Sequence, residues 1–366
     1  MMLGTQQKVG STGHWQTIGN PAAIALLEGA ISQQRVSHAY LFVGPNRVGK
    51  RTLAIDFARA MNCNAADIAT PGWAELAPAV PCGECSACER IARSNFADVQ
   101  VITSATQTSK DTDDKAARRR VLIGIDLIKD LQSDAMLKPY EGRVKVFIID
   151  EANRMSPDAA NALLKTLEEP PSQVHFILTS PAVEMVPETI ASRCHVVRLK
   201  SVATDVIAGA LVDRFELSDD EAKTLAKMSM GSPGWAIAAL NDPSMLDARK
   251  QSGARILDVL GADLADRFEY ASQMSRQFRS DRAVALEEVD RWLEIVRDVA
   301  MIKNGLREHV VYDDRIVELD QIAKTISEDE IAHAASAVHK TRDALMVNAI
   351  PQLAFDGMML GLPVIS

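Results

Sequence analysis

The 366-residue chain is 47% hydrophobic and 24% charged, and its 40 basic and 49 acidic residues leave a net charge of −9. That balance excludes a protein that coats nucleic acid unaided, so any DNA contact must be local or shared with partners. No run is long and apolar enough to span a membrane, and the opening MMLGTQQKVGSTGHW lacks the apolar core of a signal peptide, so a cytoplasmic protein of two or three domains is expected.

Residues 15–34 combine a short polar entry with an amphipathic helix, in which Ile24, Leu27 and Ile31 are spaced for one face. Residues 40–43 (YLFV) are apolar and β-prone and read as the first strand. His38, just before it, is either a nucleotide contact or a structural hydrogen-bonding residue. GPNRVGKRT (44–52) follows, and then a helical apolar pattern at Leu53, Ile55, Phe57 and Ala58. Strand, loop and helix together come close to a phosphate-binding loop. Gly44 and Gly49 let backbone N–H groups wrap a polyphosphate, and Lys50 reaches the outer phosphates. One position departs: a Ser or Thr hydroxyl should follow the lysine to ligate Mg2+, yet Arg51 stands there and Thr52 comes one step late. Bound ATP or ADP with little or no hydrolysis is the expectation, and Thr52 substitutes only if the loop shifts.

Four of the five cysteines come next, Cys63 and then Cys82, Cys85 and Cys88 in PCGECSAC. Reduced thiols at this spacing read as metal before disulfide. Four soft thiolates suit a closed, structural Zn2+ site with no water-activating role; an iron–sulfur cluster or free thiols are the rivals, although the fourth cysteine and proline of a ferredoxin run are missing after Cys88. A strand is expected over 99–103, then a polar insertion over 104–120 that ends in Arg118, Arg119 and Arg120. That triplet is either a DNA-phosphate contact or, as charge runs usually are, a solvated loop. Residues 125–137 read as a helix with Leu127, Ile128, Leu131 and Met136 on its apolar face.

The stretch VFIIDEANRMSPDAANALLKTLEEPP (146–171) organises the chain. Its continuously apolar start reads as a buried parallel strand, and Asp150 and Glu151 stand where such a strand ends. The pair is either a solvated turn or the carboxylates that hold Mg2+ beside a nucleotide at the sheet's carboxyl edge. Ser156 and Pro157 then start a helix striped by Ala160, Leu163, Leu164 and Leu167. Residues 174–180 form a further strand that brings Thr179 level with Asp150, suited to sense a phosphate or orient water. Arg193 follows at a helix end before a strand at 195–199, where a guanidinium either projects from the domain edge or ends in a surface salt bridge. Cys194 reads as a buried thiol. From Ala203 onward helical patterns follow one another, including 283–303 with Leu286, Val289, Trp292, Leu293, Val296 and Val299 as its stripe.

In this order, HAYLFVGPNRVGK, the four cysteines, the 146–171 stretch, FILTS and SRC resemble the bacterial AAA+ clamp-loader subunits over at least residues 15–240. Within that family they resemble the delta-prime subunits of DNA polymerase III. The acidic motif reads DEAN, and GSPG (231–234) stands where the gamma/tau motor subunits carry a second-sensor arginine. The resemblance implies a RecA-like AAA+ core with a parallel sheet over 1–200, a zinc module at about 63–88, a helical lid over 201–243 and an all-α collar over 244–366. It also implies a stator in a hetero-pentamer with delta and motor subunits, which loads the sliding clamp onto primed DNA as part of a polymerase holoenzyme. In that family the SRC arginine acts in trans, making Arg193 an arginine finger for a neighbour's ATP site; its rigid, permanently charged fork suits that role. Two alternatives are an ATP-hydrolysing motor subunit and a zinc-dependent nucleic-acid-binding adaptor. Arg51 weighs against the first and the acidic balance against the second.

Overall fold

The computed structural model describes residues 15–65, 79–104, 122–346, 349–363 and 365. The arginines at 118–120 and the insertion from 105 onward lie outside the described residues. The chain divides into two compact units, Met1–Ile237 and Ala238–Ser366.

The first unit is built on a five-stranded parallel sheet of β1 (Ala39–Val43), β2 (Val99–Ile102), β3 (Lys145–Ile149), β4 (Val174–Ser180) and β5 (His195–Arg198), in the order β2-β3-β4-β1-β5. The three central strands are buried along their whole length, while β2 and β5 at the edges are partly exposed. This is why the central strands are mainly apolar: a parallel strand covered on both faces has no solvent side to mark. On one face, Leu41, Phe147, Ile149, Phe176 and Leu178 pack with α4 (Ile125–Ala135) and α5 (Pro157–Glu168) through Leu127, Ile128, Leu131, Leu163 and Leu167. On the other, Tyr40 meets Phe57 of α2 (Lys50–Asn62) edge to face at 5.2 Å. Each fully buried large apolar side chain contributes about 2 kcal/mol, so this two-sided cover anchors the edge that carries the site.

The helix expected over 125–137 ends at Ala135, and Met136 is 70% exposed rather than on its apolar face. On the first helix, α1 (Pro21–Ser32), Ala23, Leu27 and Ile31 are buried whereas Ile24 is only partly so. The buried Lys145 ammonium is paired: it donates to the Asp134 carboxylate at 2.6 Å and to its main-chain oxygen at 2.9 Å. Helices α7 (Thr204–Phe215) and α8 (Asp219–Met228) follow the sheet, the second opened by a reciprocal Ser218–Glu221 capping box.

The second unit is helical throughout its described residues, from the end of α9 (Pro233–Asn241) to α15 (Pro351–Leu360). Most of the apolar stripe on α12 (Arg282–Lys303) is internal core: Val289 and Trp292 are fully buried and Val296 and Val299 nearly so, whereas Leu286 and Leu293 are half-buried. The indole N–H of Trp292 donates to the Tyr270 hydroxyl at 3.0 Å, which donates to Glu288 at 3.0 Å. Arg267, also buried, donates to the carbonyls of Val259, Leu260, Leu362 and Pro363, tying the C-terminal segment down.

Candidate nucleotide loop, zinc centre and edge arginine

The loop joining β1 to α2 wraps the helix N-terminus. Gly44 has φ 154°, and a Cβ there would lie 2.3 Å from the Leu199 carbonyl oxygen, so no other residue fits. Gly49, with φ 107°, is the N-cap of α2. The Lys50 ammonium donates to the carbonyls of Gly44 at 2.7 Å and Pro45 at 2.8 Å, folded over its own loop. Burial pulls its pKa down to about 8, while Asp150 and Glu151 oppose that fall. Backbone N–H groups, a helix N-terminus and this lysine make a cradle that could hold a polyphosphate.

The acidic tip lies at the carboxyl end of β3, and Thr179 of the adjoining β4 stands level with it. The Thr179 hydroxyl donates to Asp150 Oδ1 at 2.6 Å and accepts from the Glu151 N–H at 3.0 Å. Glu151 takes a left-handed backbone, with φ 58°, and pairs with Arg154 at 3.3 Å. The other oxygen of Asp150 faces the Arg51 guanidinium at 3.7 Å. A magnesium site does not fit this arrangement. Both oxygens of Asp150 have cationic or hydroxyl neighbours, a guanidinium replaces the ligating hydroxyl, and Thr52 is exposed, about 100° further round the helix.

Residues 231–234, expected at the second-sensor position, reach the loop. The Gly234 N–H donates to the Arg47 carbonyl at 2.9 Å and the Ser232 hydroxyl to the Asn46 carbonyl at 3.1 Å. A Cβ on Gly234 would lie 2.8 Å from the Arg47 oxygen, so a side chain there would have to push the loop aside. His38, weighed above as a nucleotide contact, precedes β1 at the end of that strand opposite the loop.

The cysteines form a second site. The sulfurs of Cys63, Cys82, Cys85 and Cys88 all lie within 4.8 Å of one another, with Cys63 and Cys85 at 4.0 Å and Cys82 and Cys88 at 3.9 Å. Sulfurs around a tetrahedral zinc with bonds of about 2.3 Å would be separated by about 3.8 Å. Main-chain N–H groups of Cys82, Cys85 and Cys88 point at the sulfurs of Cys63, Cys82 and Cys85 at 3.3–3.4 Å, favouring thiolates. The donor set fits a closed structural Zn2+ site that holds the segment after α2 to α3 (Ser86–Ala92).

Arg193 lies between α6 (Glu188–Ala191) and the edge strand β5, 35% exposed at its side chain. It donates to the Thr189 carbonyl at 2.8 Å and to Glu168 Oε1 at 2.6 Å. The Cys194 thiol beside it is half-buried, and desolvation pushes its pKa up to about 12. Sequence reasoning missed two partners, Glu168 for Arg193 and Arg47 for Gly234. LEEPP marks a helix end, but nothing local says which residue the end meets.

The family model described as "DNA polymerase III, delta subunit" matches residues 19–203, just over half of the chain. The chain is 31% identical over 249 residues to DNA polymerase III subunit tau/gamma of Haemophilus influenzae, covering 67% of this chain and 33% of that protein. It is 26% identical over 343 residues to subunit delta' of Bacillus subtilis, covering 93% and 95%. A gamma subunit-related protein of Thermotoga maritima is a solved structure similar over 92% of this chain and 97% of its own, with 16% identity and a TM-score of 0.37. The chain spans 32–44% of the length of the tau and tau/gamma relatives that it matches first. By its family match and its relatives, the chain belongs to the DNA polymerase III delta-subunit family of clamp-loader subunits.

Proposed function

We propose that this chain is the delta-prime-type stator of a DNA polymerase III clamp loader, supplying Arg193 in trans to the ATP site of a neighbouring motor subunit. The observation that carries this reading is the contrast within the first unit. Its own loop has a guanidinium where a metal-binding hydroxyl is needed, whereas Arg193 stands partly exposed beside an edge strand. A permanently charged fork at such an edge can neutralise charge on a transferred phosphoryl group across an interface.

On this reading Gly44, Gly49, Lys50, Thr52, Asp150, Glu151 and Thr179 form a site that holds ATP or ADP with little or no turnover. The four cysteines hold structural zinc, residues 201–243 act as a lid, and 244–366 form the collar that joins delta and motor subunits in a hetero-pentamer. The sliding clamp and primed DNA are met through the assembled complex in the cytoplasm. The deciding experiment is stimulated ATP turnover by the reconstituted assembly with Arg193→Ala, at matched assembly. A clear fall is expected, with about a thousandfold loss confined to the site that Arg193 serves, and unchanged turnover removes the finger. One observation favours a second reading, an ATP-hydrolysing motor: the 31% identity to a tau/gamma relative against 26% to a delta'. Magnesium-dependent turnover by the isolated chain would establish it.

A further inference from the structure

Arg193 is not left to solvent. Its guanidinium is held at two points by two elements: Nη1 on the Thr189 carbonyl at 2.8 Å and Nη2 on Glu168 Oε1 at 2.6 Å. Glu168 is the last residue of α5, where the helix dipole disfavours an anion, and Glu169 follows it. Two carboxylates at a helix C-terminus are electrostatically misplaced unless one of them has a cation to hold. Helix α5 starts just beyond the acidic tip at Asp150 and Glu151 and carries Leu163 and Leu167 into the core. Glu168 is therefore fixed at the end of a rod anchored in the sheet.

We propose that Glu168 is a positioning residue that presets the fork of Arg193 for a neighbour's polyphosphate. The proposal rests on the reading of Arg193 as a finger. An arginine free in solvent must lose much of its rotamer freedom when it docks, whereas one held at both terminal nitrogens has already lost it. Five donors let the guanidinium keep the Thr189 and Glu168 bonds and offer its other N–H groups to phosphate oxygens. No bond is made or broken at Glu168.

The test uses the reconstituted assembly, with ATP turnover stimulated by clamp and primed DNA, for wild type, Glu168→Ala, Glu168→Gln, Arg193→Ala and the Glu168→Ala/Arg193→Ala double variant. Assembly is first matched by gel filtration. Glu168→Ala is expected to lower kcat about three- to tenfold without changing KM for ATP. Glu168→Gln, whose amide oxygen can accept the same N–H, should restore most of it, and the double variant should be no slower than Arg193→Ala alone. A merely structural Glu168 would also slow the Arg193→Ala background, and that result overturns the proposal. So does wild-type turnover in Glu168→Ala while Arg193→Ala is impaired, an outcome that leaves the finger standing. If Arg193→Ala itself turns over normally, the finger reading falls and this inference with it.

Discussion

The cysteine cluster and the glycine-rich loop lie at the two ends of the same helix, α2, yet they are completed in opposite ways. Three of the four clustered cysteines come from one short segment, and their own N–H groups turn back onto the sulfurs. That site needs only a metal. The loop instead depends on distant elements: Asp150 and Thr179 from two other strands, with the Arg51 guanidinium facing Asp150, and the 231–234 segment closing on Arg47. A site built from neighbours in sequence keeps its chemistry as long as its spacing survives. One assembled across a sheet can lose a single ligand and keep its shape.

The largest expected effect separates the two ends directly. Cys88→Ser should abolish the single bound zinc equivalent and destabilise the first unit by about 5 kcal/mol, read by metal content and the denaturant midpoint. If the wild-type protein carries no zinc and the variant unfolds alongside it, the centre is not a metal site. At the loop, Gly44→Ala should cost about 3 kcal/mol, because the new methyl meets the Leu199 carbonyl in a strained backbone; denaturation at the wild-type midpoint would contradict that packing. Thr179→Val keeps the shape and removes the hydroxyl between Asp150 and Glu151. A loss of about 1 kcal/mol is expected in the same assay, with zinc content untouched.

The smallest effect concerns Lys50. Its pKa of about 8 means that the ammonium, charged at pH 7, loses its proton as pH rises through 8. Affinity for a fluorescent ADP analogue should therefore weaken about fourfold between pH 7 and pH 8.5 in wild type, and Lys50→Ala should show a flat profile. An equal slope in both would take Lys50 out of the phosphate contact. Together these variants tell whether the loop is a working cradle or only a relic of one, while the cysteine cluster serves as the internal control.

Much of this was legible because it is local. Continuous apolar runs at residues 40–43 and 146–149 announced covered strands, the Cys spacing announced a cluster of thiols suited to a metal, and Ser156 with Pro157 announced the start of α5. Arg51 was visible as the wrong residue in the right loop, since a motif states which atom belongs at each step. What only the tertiary structure decided is pairing across long separations. It includes the burial of the α12 stripe in its own unit, the Met136 side chain turning outward, Arg47 under Gly234, and Glu168 on Arg193. Periodicity tells which face of an element is apolar, but the partner of a carboxylate at a helix end is set by how the elements pack, and no local pattern encodes that distance.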